Sequence, residues 1–359
     1  MNRVILSILV LGLLITPVFA TENEDLLDVG EESLVEGLPY EASMLLDDID
    51  FENPGFIDSV VTLITNALGK ITDSVQMGLR TSGILLIIAL LCSICSTLSP
   101  QHSICTVVGA LGICTAVLGS MESMIQLSRE TVAQLTEYSG LLLPVMASAM
   151  AVSGNPVTAG GLQALTALFA QLLMRIISNL LIPGVYLFLA LAAGEAAMES
   201  TVLGEIREFL SWIIGKTLRI LMYIFTAFLS LTGVISGNAD ALTIKTTKAA
   251  VSGMVPVVGN ILSDASETLL ASAATLKNAV GVIGMIAVLG IVILPFLRVA
   301  TQYLIMKITA ACSGTVALKS HTALLKHIST AMGLLLGMTG TCAILFLISG
   351  VCYLKVTVL

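Results

Sequence analysis

Between Tyr138 and Met174 the chain runs for 37 residues without a single Asp, Glu, Lys or Arg. A helix needs about 20 apolar residues to cross the hydrocarbon core of a bilayer, so this run is too long for one crossing. Two punctuation points divide it, Ser153-Gly154-Asn155-Pro156 and Gly160-Gly161. The run reads as two apolar helices around a break. Other apolar stretches repeat the pattern: Thr81–Ser99, Ile104–Met121, Ile176–Gly194, Ile220–Ala239, Asn278–Leu297, Val299–Leu318 and Ile328–Leu354. Lys307 interrupts the sixth of these, and Gly333 and Gly337 in the last have a spacing suited to close helix contact. The expected fold class is all-α, a polytopic membrane helical bundle of six to eight membrane helices with interfacial amphipathic helices.

Composition agrees. Only 11% of residues are charged and the mean hydropathy is +1.00, whereas soluble domains carry about a quarter charged residues. The charge is also concentrated. Thirteen of the 24 acidic residues fall between Glu22 and Asp58, and no Lys or Arg occurs from Thr21 to Gly69. No basic tract of the kind that binds nucleic acid exists, so no nucleic-acid partner is expected.

The first twenty residues read as a signal peptide. Arg3 supplies a positive start, Val4–Ile15 a short apolar run, and Val18-Phe19-Ala20 a small-residue cleavage site. An uncleaved anchor would leave the same topology. Residues 21–78 are expected to be an acidic extracytoplasmic segment, because the stretch after the signal lacks the cations that would retain it in the cytoplasm under the positive-inside rule. Within it Phe56, Val60, Leu63, Ile64, Ala67 and Ile71 recur at helical spacing and predict an amphipathic helix. Residues 79–359 form the membrane domain.

Three charged stretches read as connectors: Glu122–Glu137, the group Glu205 to Arg219, and the basic group Lys319, His321, Lys326 and His327. Arg175 belongs at an interface or facing the protein interior, since a charge at mid-bilayer costs about 2.5–3.5 kcal/mol on insertion scales. The positive-inside rule puts both 207–219 and 319–327 on the cytoplasmic side, which depends on whether 299–318 crosses separately.

Chemistry is sparse. There is no phosphate-binding glycine loop, no H-E-x-x-H and no G-x-S-x-G. The histidines 102, 321 and 327 read as solvated loop residues. Cys92 and Cys95 form a C-x-x-C inside an expected span and read as small packing residues. No enzyme activity, cofactor or metal is expected.

Asp240–Gly281 stands apart, rich in Thr, Ser, Gly and Ala. Lys245 and Lys248 precede a break at Pro256 and Gly259; Asp264, Glu267 and Lys277 follow it. Two half-polar helices around such a break make an interfacial hairpin, a re-entrant element lining a cavity, or a docking surface for another subunit. The two lysines suit anionic lipid head groups or partner carboxylates.

The same stretch carries a resemblance. Thr243-Ile244-Lys245-Thr246-Thr247-Lys248, Val255-Pro256-Val257-Val258-Gly259, Ser263-Asp264-Ala265-Ser266-Glu267-Thr268 and Leu276-Lys277-Asn278-Ala279-Val280-Gly281 together resemble the stage III sporulation protein AE family of endospore-forming bacteria. The resemblance implies a multi-pass protein of the outer forespore membrane, made in the mother cell. It implies membership of the stage III A complex, with other membrane proteins of that operon, ring-forming subunits, a separate ATPase and a forespore-membrane partner. It implies no catalytic residue. The alternative from the residues alone is an autonomous secondary transporter, suggested by broken helices and by Asp264, Glu267 and Arg175.

Overall fold

The computed structural model describes residues 34, 36–47, 56–98, 102–152, 156–231 and 279–357. Every regular element among them is helical. In chain order they are α1 (Tyr40–Leu46), α2 (Phe56–Gly69), α3 (Thr72–Leu98), α4 (His102–Val152), α5 (Pro156–Ile176), a π-helical turn (Ile177–Leu181), α6 (Ile182–Met198), α7 (Thr201–Leu231), α8 (Ala279–Ser313) and α9 (Lys319–Thr357). Six helices among the described residues, counting α5 to α6 as one, are long and apolar enough to cross a membrane. The protein is a multi-pass helical membrane protein.

Two of the expected breaks close up. Glu122–Glu137 is not a connector but the middle of α4, a single helix of 51 residues. Residues 122–137 contain no Gly or Pro, and Met121, Met124, Ile125, Val132 and Leu135 bury themselves at helical spacing while Glu122, Gln126, Arg129, Glu130 and Glu137 stay exposed. The charges occupy one stripe, so they do not interrupt the helix. The expected second break at Gly160-Gly161 lies inside α5. Two glycines cost about 1 kcal/mol each, too little to end a helix rich in Leu and Ala. The first break stands between α4 and α5, with Pro156 opening α5, where its missing N–H loses nothing.

The Pro183 that interrupts the next apolar run does not break it either. A wide turn precedes it, with the Ile182 N–H bonded back to the Ile177 carbonyl. Such a turn absorbs the bond and the space that proline denies to the previous turn.

Residues 279–313, expected to divide between two spans at 278–297 and 299–318, form one helix, α8. Its polar residues find partners instead of ending it. Arg298 Nη1 pairs with Glu41 at 3.2 Å, Gln302 Nε2 donates to the Ser74 carbonyl at 2.8 Å, and Lys307 Nζ donates to Tyr303 Oη at 2.7 Å while lying 5.1 Å from that ring. Thr309 also meets Ser82 of α3 through their hydroxyls.

α8 and α9 make an antiparallel hairpin at the centre of the bundle. Tyr303 packs on Gly333, Phe296 on Gly340 and Met285 on Gly350. Small residues let the helix backbones approach, which is the main source of helix association in lipid. Gly333 of the expected glycine pair is therefore used, and the stripe continues past it. α1 and α2 lie along the first half of α8, where Leu45, Leu46, Leu63 and Ala67 meet Val282, Ile286 and Leu294. α4 packs on the same hairpin, with Leu142 against Gly284.

Three turns gather at one end of the bundle. His321 at the start of α9 has Nε2 3.0 Å from the Thr106 carbonyl at the start of α4. Its ring fills the space left by Gly109, beside the Cys92 sulfur of α3. Ser320 Oγ donates to Glu199 at the end of α6 at 3.0 Å. The turns α3/α4, α6/α7 and α8/α9 therefore share a side. The charged groups 205–219 and 319–327 are corrected from connectors to parts of α7 and α9. Their N-terminal portions lie on that common side, because residues 279–313 form one continuous helix and not two.

Candidate functional site: a charged junction of three helices

The charges nearest that end do not all face water. Glu195 lies one turn before the end of α6, Arg207 in the second turn of α7, and His327 eight residues into α9. A left-handed residue, Glu199 with φ 52° and ψ 34°, closes α6 and folds α7 back along it. That reversal puts Arg207 opposite Glu195. Arg207 Nε donates to Glu195 Oε2 at 2.7 Å, and its Nη2 stands 3.7 Å from Glu208 Oε1. His327 Nε2 faces the same Glu195 Oε2 from the third helix, at 3.7 Å.

Burial separates the members. The Arg207 side chain is 7% exposed, His327 17%, Glu195 26% and Glu208 72%. Phe188, on the same face of α6 as Glu195 and two turns earlier, floors the site. The guanidinium lies 5.6 Å from its ring centre, and the His327 ring meets it edge-on at 6.4 Å. A cation over an aromatic face gains about 0.5–2 kcal/mol, more as water is removed. Gly204 gives Glu195 its room: a Cβ there would lie 2.8 Å from Oε1.

One carboxylate oxygen thus faces two bases on two other helices, and only the guanidinium is at bonding distance. The arrangement braces α6, α7 and α9 together. An ionisable cluster inside a helical membrane body is a functional-site candidate by default, because inserting it costs several kcal/mol. Among the described residues no group of three or more His, Cys, Asp or Glu could hold a metal.

The sequence-based candidates Lys245, Lys248, Pro256, Gly259, Asp264, Glu267 and Lys277 all lie outside the described residues. Arg175 is exposed on α5. His321 and His327, expected as solvated loop residues, are helical; His321 is fully buried and His327 largely so. They do face different neighbours, α4 and α6, as their spacing of six demands. Sequence reasoning passed over Arg207, Glu195 and His327 as candidates. The available signal was their placement at the edges of apolar runs, but nothing local in the sequence pairs residues 195, 207 and 327.

No solved structure matches the chain. It is similar to the stage III sporulation protein AE of Bacillus subtilis (strain 168), 25% identical over 194 residues. That alignment covers 54% of this chain and 49% of the relative, so the chain matches about half the length of that protein. A family model described as "Stage III sporulation protein AE" matches residues 48–356, a stretch that includes every helix from α2 to α8 and almost all of α9. By that match the chain belongs to the stage III sporulation protein AE family.

Proposed function

We propose that this protein is an integral membrane subunit of the stage III A sporulation complex, the apparatus that connects mother cell and forespore and supports forespore development. Its place is the outer forespore membrane. Its partners are the other membrane proteins of the operon, ring-forming subunits, a separate ATPase and, through the complex, a protein of the forespore membrane. The role is structural or conduit-forming and not catalytic. Family membership over residues 48–356 carries the reading. The six-helix membrane body with a central hairpin supports it, since such a body offers long lateral surfaces to neighbouring subunits. The test is genetic. Deletion of the gene in sporulating cells should silence a late forespore-specific reporter while early reporters stay on, and the wild-type chain should restore it. Normal late expression in the deletion strain would refute the role.

A second reading, an autonomous secondary transporter, is favoured by one observation: Arg207, Glu195 and His327 meet inside the helical body. It requires ion- or substrate-dependent uptake by the purified protein in proteoliposomes. Uptake abolished by Glu195→Gln would support it, and no uptake of any ion or solute offered would remove it.

A further inference from the structure

α4 is 51 residues long, or about 76 Å at 1.5 Å per residue, against a hydrocarbon core of about 30 Å. The bilayer therefore covers only part of it. Its outward stripe says which part. From the α3/α4 turn the exposed large apolar residues are Ile104, Val108, Leu111 and Leu118, and no charge is exposed among them. The same stripe then changes character, to Glu122, Gln126, Arg129, Glu130 and Glu137. Gln126 Nε2 bonds to Glu130 at 2.7 Å, a surface pair one helical turn apart.

α3 changes character at the same level. It runs antiparallel to the start of α4, with Ile88 against Gly112 and Cys92 against Gly109. Extending that register along both helices sets Glu122 level with Gly78–Arg80. On the turn side of this level α3 exposes Ile84, Ile87, Leu90, Leu91, Ile94 and Leu98. On the far side it exposes Arg80, Gln76 and Asp73, along with Met77 and Leu79. Two adjacent helices thus pass from an uncharged to a charge-bearing exterior together.

We infer that the bilayer meets the α3–α4 side of this protein between the three-turn end and the level of Arg80 and Glu122, and that α4 beyond Glu122 stands outside it. The partner of the apolar stripe is lipid acyl chains. The opposite placement, with Glu122–Glu137 in hydrocarbon, would immerse four exposed charges and leave ten large apolar side chains on α3 and α4 in water. The projecting part of α4 keeps its inner face dry by packing Leu142 against Gly284 of α8. From Glu122 to Val152 it extends about 45 Å past the boundary. The boundary so read belongs to the α3–α4 side; α7, whose exposed stripe stays apolar past Lys216 through Ile220, Tyr223 and Ile224, does not mark one.

The experiment is a spin-label scan of α4 in the full chain, reconstituted in phosphatidylethanolamine–phosphatidylglycerol vesicles. Labels go singly at 108, 111, 118, 122, 126, 130 and 137, and their accessibility to oxygen and to a water-soluble nickel chelate is compared. Oxygen should dominate at 108, 111 and 118, and the chelate at 122 and beyond. Chelate-dominated labels at 108–118, or oxygen-dominated labels at 126–137, would overturn the inference. If removing the native cysteines prevents folding, a lysine pair gives the same answer in the native background. Leu111→Lys should lower the amount of membrane-inserted protein several-fold and Gln126→Lys should leave it unchanged; the reverse ranking, or equal loss, would overturn it.

Discussion

Breaking the Arg207–Glu195 pair from either side should not cost the same. The buried partner is Arg207, with 7% of its side chain exposed, while Glu195 keeps 26%. Removing one partner of a buried ion pair costs about 3–5 kcal/mol, chiefly because the other charge is left buried and unpaired. Glu195→Met leaves Arg207 in that position, with only Glu208 at 3.7 Å to answer it. The full range, about 3–5 kcal/mol, is expected. Arg207→Met leaves Glu195, which water reaches and which His327 faces at 3.7 Å. Solvent screening discounts that loss to about 2 kcal/mol, including the lost contact with Phe188. The double variant removes both charges and fills the site with apolar groups of similar size, which is often near neutral. It should sit within about 1 kcal/mol of wild type, giving a coupling of several kcal/mol. The assay is equilibrium unfolding in mixed micelles, followed by a proximity probe between α6 and α7. Additive losses, or Arg207→Met costing more than Glu195→Met, would refute the reasoning.

Gly109→Ala should destabilise by about 1–3 kcal/mol, because its Cβ would enter the buried His321 ring; the same unfolding measurement should show much of that loss recovered in Gly109→Ala/His321→Ala. At the α6/α7 reversal, Glu199→Ala should be less stable than Glu199→Gly by about 1 kcal/mol, since both lose the Ser320 bond but only glycine adopts φ 52° freely. Leu345→Ala, in the fully buried part of α9, should cost about 2–5 kcal/mol and lower the yield of monodisperse protein on size exclusion.

Much of the membrane class was legible because apolar length and charge scarcity are local properties of the chain. The break before Pro156 was legible for the same reason, as Gly-Asn-Pro acts within a few residues. What the sequence concealed were decisions made by neighbours. Lys307 looked like an interruption of a span, yet Tyr303 one turn away accepts its hydrogen bond and sets its ring beside the charge. Glu122–Glu137 looked like a connector because composition averages over a helix, whereas its charges occupy one stripe of α4. The charged junction was hidden for a different reason. Glu195 and Arg207 are twelve residues apart and meet only because Glu199 reverses the chain, and His327 arrives from another hairpin. The site residues read from sequence, from Lys245 to Lys277, stand on the family resemblance and on their own pattern.

The most direct test of the proposed role is affinity purification of the tagged full chain from sporulating cells, in gentle detergent after mild crosslinking, with the recovered proteins identified by mass spectrometry. Membership of a stage III A complex requires that other membrane subunits of that operon, ring-forming proteins and an ATPase come down with it in reproducible ratios. Recovery of this chain alone under the same conditions, with those proteins present in the extract, would contradict it.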